Sequence, residues 1–285
     1  MENNITLSVL VVNWNGEQYI GNCLQSLGDT IKKYSYEIIV VDNNSSDGSC
    51  DFIKKSFKDV ILIENSKNEM FAKANNIAFA SSRGKYIAVV NPDIVVKAGV
   101  VDKLVDALEN TKDTAFTTVL YNEDGTIQSN MHRGFPSFGS LFLSMLCINK
   151  GWFCSANKVK MYLLSDLDFT QDHYIDQAPG AFLFLKREHI KKIDYLFDDD
   201  RFPLFYNDVD LCYRLWSNGV SIMCKVTDGA FHLKGAAVKT LKFDDSLFWK
   251  LSGAKKYFYK HDKRFDYLIL SMLLFFFSLL QRKRK

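Results

Sequence analysis

Short apolar runs rich in β-branched residues alternate with amphipathic stretches over the first 120 residues of the chain. Strands buried on both faces read as continuous apolar runs, whereas helices that pack on a sheet repeat an apolar position every third or fourth residue. The alternation predicts an α/β fold, with an open, mostly parallel twisted sheet flanked by helices. We expect strands at 7–12, 37–41, 60–64, 85–90 and 115–120, and helices at 17–33, 48–57, 71–82 and 98–109.

The second half of the chain has a different pattern. Residues 131–176 are rich in aromatic side chains and show no clear period, and long irregular segments of compact domains are usually either functional or disordered. The aromatic content argues against disorder. A strand is expected again at 180–185, and a helix at 207–218, ended by Gly219.

The last apolar run, residues 267–280, is followed directly by the basic tail 281–285. A helix needs about 20 apolar residues to span a bilayer, so this run is short for a transmembrane helix. It fits either a core helix or a helix that lies in the membrane interface. We favour the interfacial helix because lysine and arginine flank the run.

The length and composition of the chain indicate how it is divided into domains. A chain of 285 residues that is 47% hydrophobic and 24% charged suits one large domain plus a short appendage. We place the domain at 1–240, with halves 1–120 and 121–240, and a helical extension at 241–285. The net charge is only +3, and the basic tail points to anionic lipid head groups rather than nucleic acid.

The spacing of the cysteines and the N-terminal residues indicate the cellular compartment in which the protein is found. The six cysteines form no C-x-x-C pair, and no histidine lies at zinc-finger spacing, so neither a structural zinc nor a redox dithiol is indicated. We expect reduced, mostly buried cysteines. Residues 1–6 lack the basic and apolar regions of a secretory signal, which predicts a cytoplasmic location.

Polar residues follow the predicted strands at 13–16, 42–48, 65 and 91–93. Ligands of open α/β sheets bind beyond the carboxyl ends of the strands, where these loops should meet. Asparagine, aspartate, glycine and serine are also the residues of ordinary turns. For any single loop both interpretations stay open.

Acidic residues with candidate chemical roles stand at three sites. Asp42 can accept a hydrogen bond from the imide N–H of uracil or thymine, or it can cap a turn. Asp93 can bind a hard divalent cation, which takes one or two carboxylates plus phosphate oxygens. Asp208 and Asp210 lie at a helix start, where an ionised base is favoured, although they can also be ordinary helix-start acids, and Asp210 can pair with Arg214.

In this order along the chain, the motifs resemble those of the family 2 glycosyltransferases of the GT-A fold, most closely the bacterial rhamnosyltransferase-like branch. The resemblance spans Leu7 to about Lys239. It rests on residues 11–16, 39–48, 75–76, 91–93, 179–182, 207–214 and His232.

The resemblance implies an inverting glycosyltransferase dependent on Mg²⁺ or Mn²⁺, with Asp208 as catalytic base and Asp93 and His232 at the metal. It implies a dTDP-rhamnose or UDP-sugar donor bound by the first half of the domain. It also implies a polyprenyl-diphosphate-linked glycan acceptor in cell-surface polysaccharide synthesis, with the extension on the inner face of the membrane. Expected donor contacts are Val12, Asn13, Asn15, Asp42, Lys73, Asn76 and Asn91, and expected acceptor-side or supporting residues are Gly180, Asp210, Arg214 and Trp152.

The motifs depart from the family pattern at two positions. Asn91 and Asn207 stand where many relatives carry acids, which leaves Asp93 and Asp208 as the remaining carboxylates of their motifs.

Two other classes of protein are the alternatives. A sugar-1-phosphate nucleotidyltransferase usually has a glycine-rich loop with a basic residue after the first strand, whereas residues 13–16 contain no lysine or arginine. A non-catalytic glycan-binding subunit is the second rival, and the two intact aspartates argue against it.

Overall fold

A computed structural model describes residues 5–128, 131–150, 155–233 and 243–282, with side chains described except at 145–150, 243–248 and 276–282. In the first half, every predicted helix and strand is present. The elements are β1 (Leu7–Asn13), α1 (Glu17–Thr30), β2 (Tyr36–Asp42), α2 (Ser49–Ser56), β3 (Ile61–Glu64), α3 (Met70–Ser81), β4 (Tyr86–Val90), β5 (Ile94–Val96), α4 (Val100–Asn110) and β6 (Thr114–Thr117).

Two boundaries differ from the predicted ones for physical reasons. Helix α1 ends at Thr30 rather than at residue 33, since Ile31 is extended and the backbone N–H groups of Lys32 and Lys33 donate to the Asp102 carboxylate. The single strand expected at 115–120 is two short strands in different sheets, β6 and then β7 (Leu120–Tyr121). Periodicity alone does not show such a change of sheet.

The second half contains more regular structure than its sequence pattern indicated. The expected strand and helix are present as β9 (Phe182–Lys186) and α8 (Asn207–Ser217). The other elements are α5 (Phe138–Lys150), α6 (Asn157–Leu163), β8 (His173–Ile175), α7 (Arg187–Lys192), β10 (Ser221–Cys224), β11 (Ala230–His232), α9 (Phe243–Lys260) and α10 (Arg264–Arg282). The expected domain boundary at 240 lies outside the described residues.

The main sheet has the strand order β3-β2-β1-β4-β9-β6-β10-β8, and β5, β11 and β7 form a smaller sheet. Strands β3, β2, β1 and β4 are parallel, as are β6 and β10. Strand β9 runs antiparallel to β4. The loop before β9 therefore lies at the carboxyl end of β4, beside the loops after β1 and β2.

Apolar clusters fill both faces of the main sheet. Alternate residues of β1 point to opposite faces, so Val9 and Val11 belong to one cluster and Leu10 and Val12 to the other. The described cysteines are unpaired: Cys23, Cys212 and Cys224 are buried and Cys50 is partly buried, as expected for these four positions.

A third apolar cluster joins the C-terminal helices to the rest of the protein. Phe202 packs there with Tyr257 and Phe258 of α9 and Leu270 of α10. The opposite face of α10 exposes Phe265, Leu268, Met272 and Phe275. Helix α10 thus has both a packed face and an exposed apolar face, and across the described residues none of the helices combines the length and apolarity needed to cross a membrane.

Candidate active site

Neighbouring strands bring the predicted polar loops to one edge of the main sheet. Asn13 and Asp42 are the last residues of β1 and β2 and are register partners. The loop after β4 contacts the loop before β9, since the Asn91 N–H donates to the Ala181 carbonyl (2.9 Å). A Cβ added to Gly16 would lie 4.0 Å from the Pro92 Cβ, so the loop after β1 packs on the loop after β4.

A buried hydrogen-bond network surrounds Asp42. The carboxylate, only 1% exposed, accepts from Asn13 Nδ2 (2.8 Å), from the Ser45 backbone N–H (2.8 Å) and from the Ser45 hydroxyl (2.6 Å). Asn15, in the left-handed region at φ 50°, accepts from the Ser46 N–H (2.8 Å). Asp42 thus forms the turn that its sequence also suggested, and its contact with a base stays a prediction.

Asp93 directly precedes β5 and faces His232 of the neighbouring strand β11. The Asp93 Oδ1 and His232 Nε2 atoms are 3.4 Å apart, and His232 Nδ1 is 2.8 Å from Gln128 Oε1. When Nδ1 carries the proton and donates to Gln128, the lone pair of Nε2 points toward the carboxylate. Two ligands of one divalent cation at about 2.1 Å from the ion lie roughly 3.0 to 3.4 Å apart, so this pair of donors fits such an ion.

Asp208 lies in the first turn of α8, and its side chain is close to Gly180. Its Oδ1 accepts from the Val209 N–H (2.9 Å), and its Oδ2 faces the Gly180 N–H at 3.4 Å. Burial raises the pKa of Asp208, and the two backbone N–H groups and the charge of Arg133 oppose that shift only in part. A carboxylate with a raised pKa is a better proton acceptor than an ordinary surface aspartate.

One run of contacts connects these carboxylates along the sheet edge. Asp42 contacts Asn13, the loop that Asn13 begins packs on Pro92, and Asn91 contacts Ala181 next to Gly180, which faces Asp208. Asp93 lies in the same loop as Asn91. Residues from five separate parts of the sequence therefore meet at one edge, as expected for loops at the carboxyl ends of the strands.

Some expected donor contacts have side chains that are occupied within the fold. Asn76 donates to the Phe197 carbonyl (2.8 Å) and to Asp199 (3.0 Å), and it accepts from the Phe197 N–H (3.0 Å). Lys73 pairs with Glu69 at 2.7 Å, and the buried Val12 belongs to the core. Their contacts with a nucleoside stay predictions, as do those of Asn13, Asn15 and Asn91.

Asp210 and Arg214 support the site from inside the protein. Arg214 donates to Asp210 (2.8 Å) and to the carbonyls of Tyr195 and Leu196 (both 2.8 Å), so the helical pair that the spacing suggested is present. Asp210 is fully buried and also binds Lys260 Nζ (2.7 Å), in the last residue of α9, and His261 Nε2 (2.9 Å), in the residue after it. These contacts connect the helix that carries Asp208 to the C-terminal helices.

Several residues of the site were missed by the sequence analysis. Gln128, which contacts His232, lies between the predicted elements, and Arg133, whose charge acts on Asp208, lies in the segment that was expected to be irregular. Tyr206 precedes α8 in a left-handed conformation at φ 67° and packs on Gly253 of α9. The distribution of residue types gave no signal for them, and the expected acceptor residue Trp152 lies outside the described residues.

Known proteins share this fold. The structure superposes on S. aureus TarS in complex with UDP with a TM-score of 0.56 at 15% identity, covering 89% of this chain and 66% of that one. For GalNAc-T7 with UDP, GalNAc and Mn²⁺ the TM-score is 0.59 at 15% identity, covering 83% and 44%. These likenesses confirm the expected GT-A fold.

Sequence comparison identifies the family. The chain is 37% identical over 92 residues to a poly(ribitol-phosphate) beta-glucosyltransferase of Bacillus spizizenii, which covers 30% of this chain and 14% of that relative. The chain therefore spans only a small part of that relative's length. The model of Glycosyl transferase family 2 matches residues 8–184, well over half of the chain, including the motifs that contain Asp42, Asp93 and Gly180. The chain thus belongs to glycosyl transferase family 2.

Proposed function

We propose that this protein is an inverting glycosyltransferase that moves a sugar from a nucleoside diphosphate donor to a hydroxyl group of a glycan acceptor, with Asp208 as the base. The observation that carries the proposal is the position of Asp208 at the same sheet edge as Asp42 and the Asp93–His232 pair. This edge is where open α/β sheets bind their ligands. Both the raised pKa of Asp208 and its location at a helix N-terminus suit a base.

The chemistry is a single displacement. Asp208 takes the proton of the acceptor hydroxyl as the hydroxyl oxygen forms a bond to the anomeric carbon. The bond between that carbon and the donor diphosphate breaks on the opposite face, which inverts the configuration. No side chain needs to form a covalent bond with the sugar.

The leaving diphosphate carries negative charge that needs compensation. Asp93 and His232 would bind a divalent cation, Mg²⁺ or Mn²⁺, which supplies positive charge to the phosphate oxygens when it is bound. With a single carboxylate in this pair, the phosphates of the donor would provide further ligands. The Mn²⁺ and UDP named for GalNAc-T7 are consistent with this assignment.

The donor is a pyrimidine nucleotide sugar. An aspartate at the end of β2 can accept from the imide N–H that uracil and thymine share, and this fits both UDP-sugars and dTDP-rhamnose. The structural neighbour TarS binds UDP, whereas the resemblance of the motifs to the rhamnosyltransferase-like branch favours dTDP-rhamnose. The two donors are therefore compared directly in the experiment below.

The acceptor is a lipid-linked or cell-surface polymer. The poly(ribitol-phosphate) beta-glucosyltransferase among the relatives supports a polymer of this type. Helix α10 exposes Leu268 and Met272 on the face that does not pack on the domain. With the basic tail that follows, this face would contact anionic lipids on the inner side of the membrane, close to a polyprenyl-diphosphate carrier.

The test is a donor screen with the full chain. Each of UDP-glucose, UDP-N-acetylglucosamine, UDP-galactose and dTDP-rhamnose is incubated with Mg²⁺, with Mn²⁺ or with EDTA, and release of the nucleoside diphosphate is measured. We expect one donor to be consumed in a metal-dependent reaction, and consumption to fall in Asp93→Asn but not in Asp51→Asn, which changes an exposed aspartate of α2. Pyrophosphate formed in a separate reaction from a nucleoside triphosphate and a sugar 1-phosphate would instead indicate a nucleotidyltransferase. Failure to consume or bind any donor would contradict the proposal.

A further inference from the structure

His132, His173 and Cys224 come together at the outer end of the main sheet, away from the residues assigned above. One ligand atom of each lies within 4.8 Å of the ligand atoms of the other two. The register of the antiparallel pair β8–β10 places His173 directly opposite Cys224, and opposite residues of such a pair point to the same face. His132 reaches the same place from the segment after β7.

The two imidazole rings are spaced as ligands of one ion would be. His132 Nδ1 and His173 Nε2 are 3.5 Å apart. Two nitrogens bound to a tetrahedral zinc at about 2.0 to 2.1 Å lie roughly 3.3 to 3.4 Å from each other. His173 Nδ1 is 2.8 Å from the Gln171 carbonyl, a contact that places the ring proton on Nδ1 and leaves the Nε2 lone pair for a ligand role.

The surroundings of His132 give a second, independent indication. The residue is 2% exposed, and among the described residues its Nε2 atom has no hydrogen-bond partner. Its ring packs against Phe169 at a centroid distance of 6.0 Å, and Cys224 beside it is fully buried. The other ring nitrogen, Nδ1, has only the 3.5 Å contact with His173 Nε2 among the described residues, so the buried ring has little polar compensation for its burial.

We propose that His132, His173 and Cys224 bind one zinc ion. A thiolate with two imidazoles is a ligand set for zinc rather than for Mg²⁺ or Mn²⁺, which prefer oxygen ligands. His173 is only partly buried, so a water molecule can reach the fourth tetrahedral position. The ion would replace the proton of the Cys224 thiol, and that proton leaves to solvent.

The zinc ion would fix a segment that reaches the active site. His132 lies between Gln128, which contacts His232, and Arg133, whose charge acts on Asp208. Binding His132 to strands β8 and β10 would therefore position both neighbours. This inference concerns a different ligand set from Asp93 and His232, and it does not depend on the proposed transfer reaction.

Cobalt substitution tests the site directly. The full chain, with any polyhistidine tag removed, is produced in zinc-depleted medium supplemented with Co²⁺, and its absorption spectrum is recorded. We expect visible bands of tetrahedral cobalt together with a near-ultraviolet thiolate-to-cobalt band. Cobalt bound at Asp93 and His232 gives no thiolate band, because those residues offer no sulfur. A folded, cobalt-exposed protein without the thiolate band overturns the proposal.

Variants assign the band to these residues. Protein from ordinary medium should contain one zinc ion per chain by mass spectrometry of the metal, and Cys224→Ser and His132→Gln should lose it. Cys50→Ser, which changes a cysteine elsewhere in the fold, and Asp93→Asn should both keep it. If Cys224→Ser retains zinc, or if Asp93→Asn loses it, the assignment is wrong. The wild-type cobalt spectrum decides the question even when a variant does not fold.

Discussion

Asp208 and Asp210 lie two residues apart on the same helical turn, yet their carboxylates have opposite properties. Burial raises the pKa of Asp208, since its partners are backbone N–H groups and the more distant Arg133. Burial would raise the pKa of Asp210 as well, but His261, Arg214 and Lys260 more than offset this and lower it. A pair of acids with pKa values shifted in opposite directions indicates one reactive and one structural group.

The first prediction concerns Asp208→Asn. We expect turnover to fall about 10²- to 10⁴-fold, the usual contribution of a general base, with donor affinity largely unchanged. Because a raised pKa means that ionisation of Asp208 is unfavourable in the folded state, the melting temperature should stay the same or rise. Turnover, donor binding by calorimetry and thermal unfolding are measured on the same preparation.

Asp51→Asn is the matched control, since it makes the same chemical change at an exposed position of α2. Turnover within a few fold of the wild type in Asp208→Asn would remove Asp208 from the role of base. A large fall in melting temperature would instead identify it as a structural residue.

Gly180 lies too close to Asp208 to carry a side chain without movement. A Cβ at this position would lie 3.2 Å from the Asp208 Cβ and 3.7 Å from its Oδ2. In Gly180→Ala, we expect the base to shift by a few tenths of an ångström and turnover to fall about tenfold, because catalysis is sensitive to such misplacement. Gly28→Ala in α1 is the control, since its Cβ would meet only the Tyr36 hydroxyl at an ordinary 3.8 Å. Equal activity of the two variants would contradict this account.

At the scale of elements, one buried carboxylate joins α8 to the end of α9. Asp210 on α8 binds Arg214 of the same helix, Lys260 at the end of α9 and His261 directly after it. Removing one partner of a buried ion pair leaves the others uncompensated in a poorly solvated position. The sequence indicated the i,i+4 pair with Arg214 but not the contacts with α9, since no local pattern reports which distant helix packs on another.

For Asp210→Asn, we expect the free energy of unfolding to fall by about 3 kcal/mol, the lower end of the range for breaking a buried ion pair. Denaturant unfolding measures the change. The matched control is Asp262→Asn, which removes an exposed pair with Arg264 at a left-handed residue that asparagine tolerates. We expect no measurable change there, and equal effects in the two variants would contradict a central role for Asp210.

Low pH should weaken the contacts that Asp210 makes between α8 and the end of α9. Because the folded pKa of Asp210 lies below its unfolded value of about 3.9, its stabilisation is complete above that value and is lost as the pH falls through the lower folded pKa. Asp210→Asn has no such carboxylate and should lose less stability than the wild type between pH 5 and pH 2, roughly the range where this carboxylate titrates.

At the scale of the whole molecule, local patterns predicted the first half well and the second half poorly. Strands β1 and β2 are continuous apolar runs between helices, so both their existence and the meeting of Asn13 with Asp42 could be predicted from the parallel arrangement. Strands β8 and β10 are short, and β9 runs antiparallel between parallel neighbours. Their pairing depends on contacts between residues far apart in the sequence, which is also why the spacing of His132, His173 and Cys224 gave no metal signal.

The exposed face of α10 has the geometry of a surface that contacts lipid. Phe265, Leu268, Met272 and Phe275 recur at intervals of three and four residues, so they form one stripe along the helix. The stripe remains exposed although Leu270 of the same helix is buried against α9. Arg282 and the three basic residues that follow it in the sequence carry positive charge of the kind that attracts anionic head groups.

We therefore expect the full chain to cosediment with phosphatidylglycerol vesicles, to bind phosphatidylcholine vesicles more weakly, and to lose affinity as salt is added. Leu268→Glu should lower the affinity about tenfold or more, because insertion of a leucine contributes roughly 1.5 to 3 kcal/mol and 1.4 kcal/mol corresponds to a factor of ten.

Ile61→Glu, on edge strand β3, makes the same change of charge at another exposed apolar residue and should bind as the wild type does. If the two variants lose affinity equally, only the net charge matters and the stripe does not contact lipid. If Leu268→Glu alone loses affinity, while its turnover on a water-soluble acceptor is kept, the C-terminal helix brings the active site to the membrane surface without taking part in the chemistry.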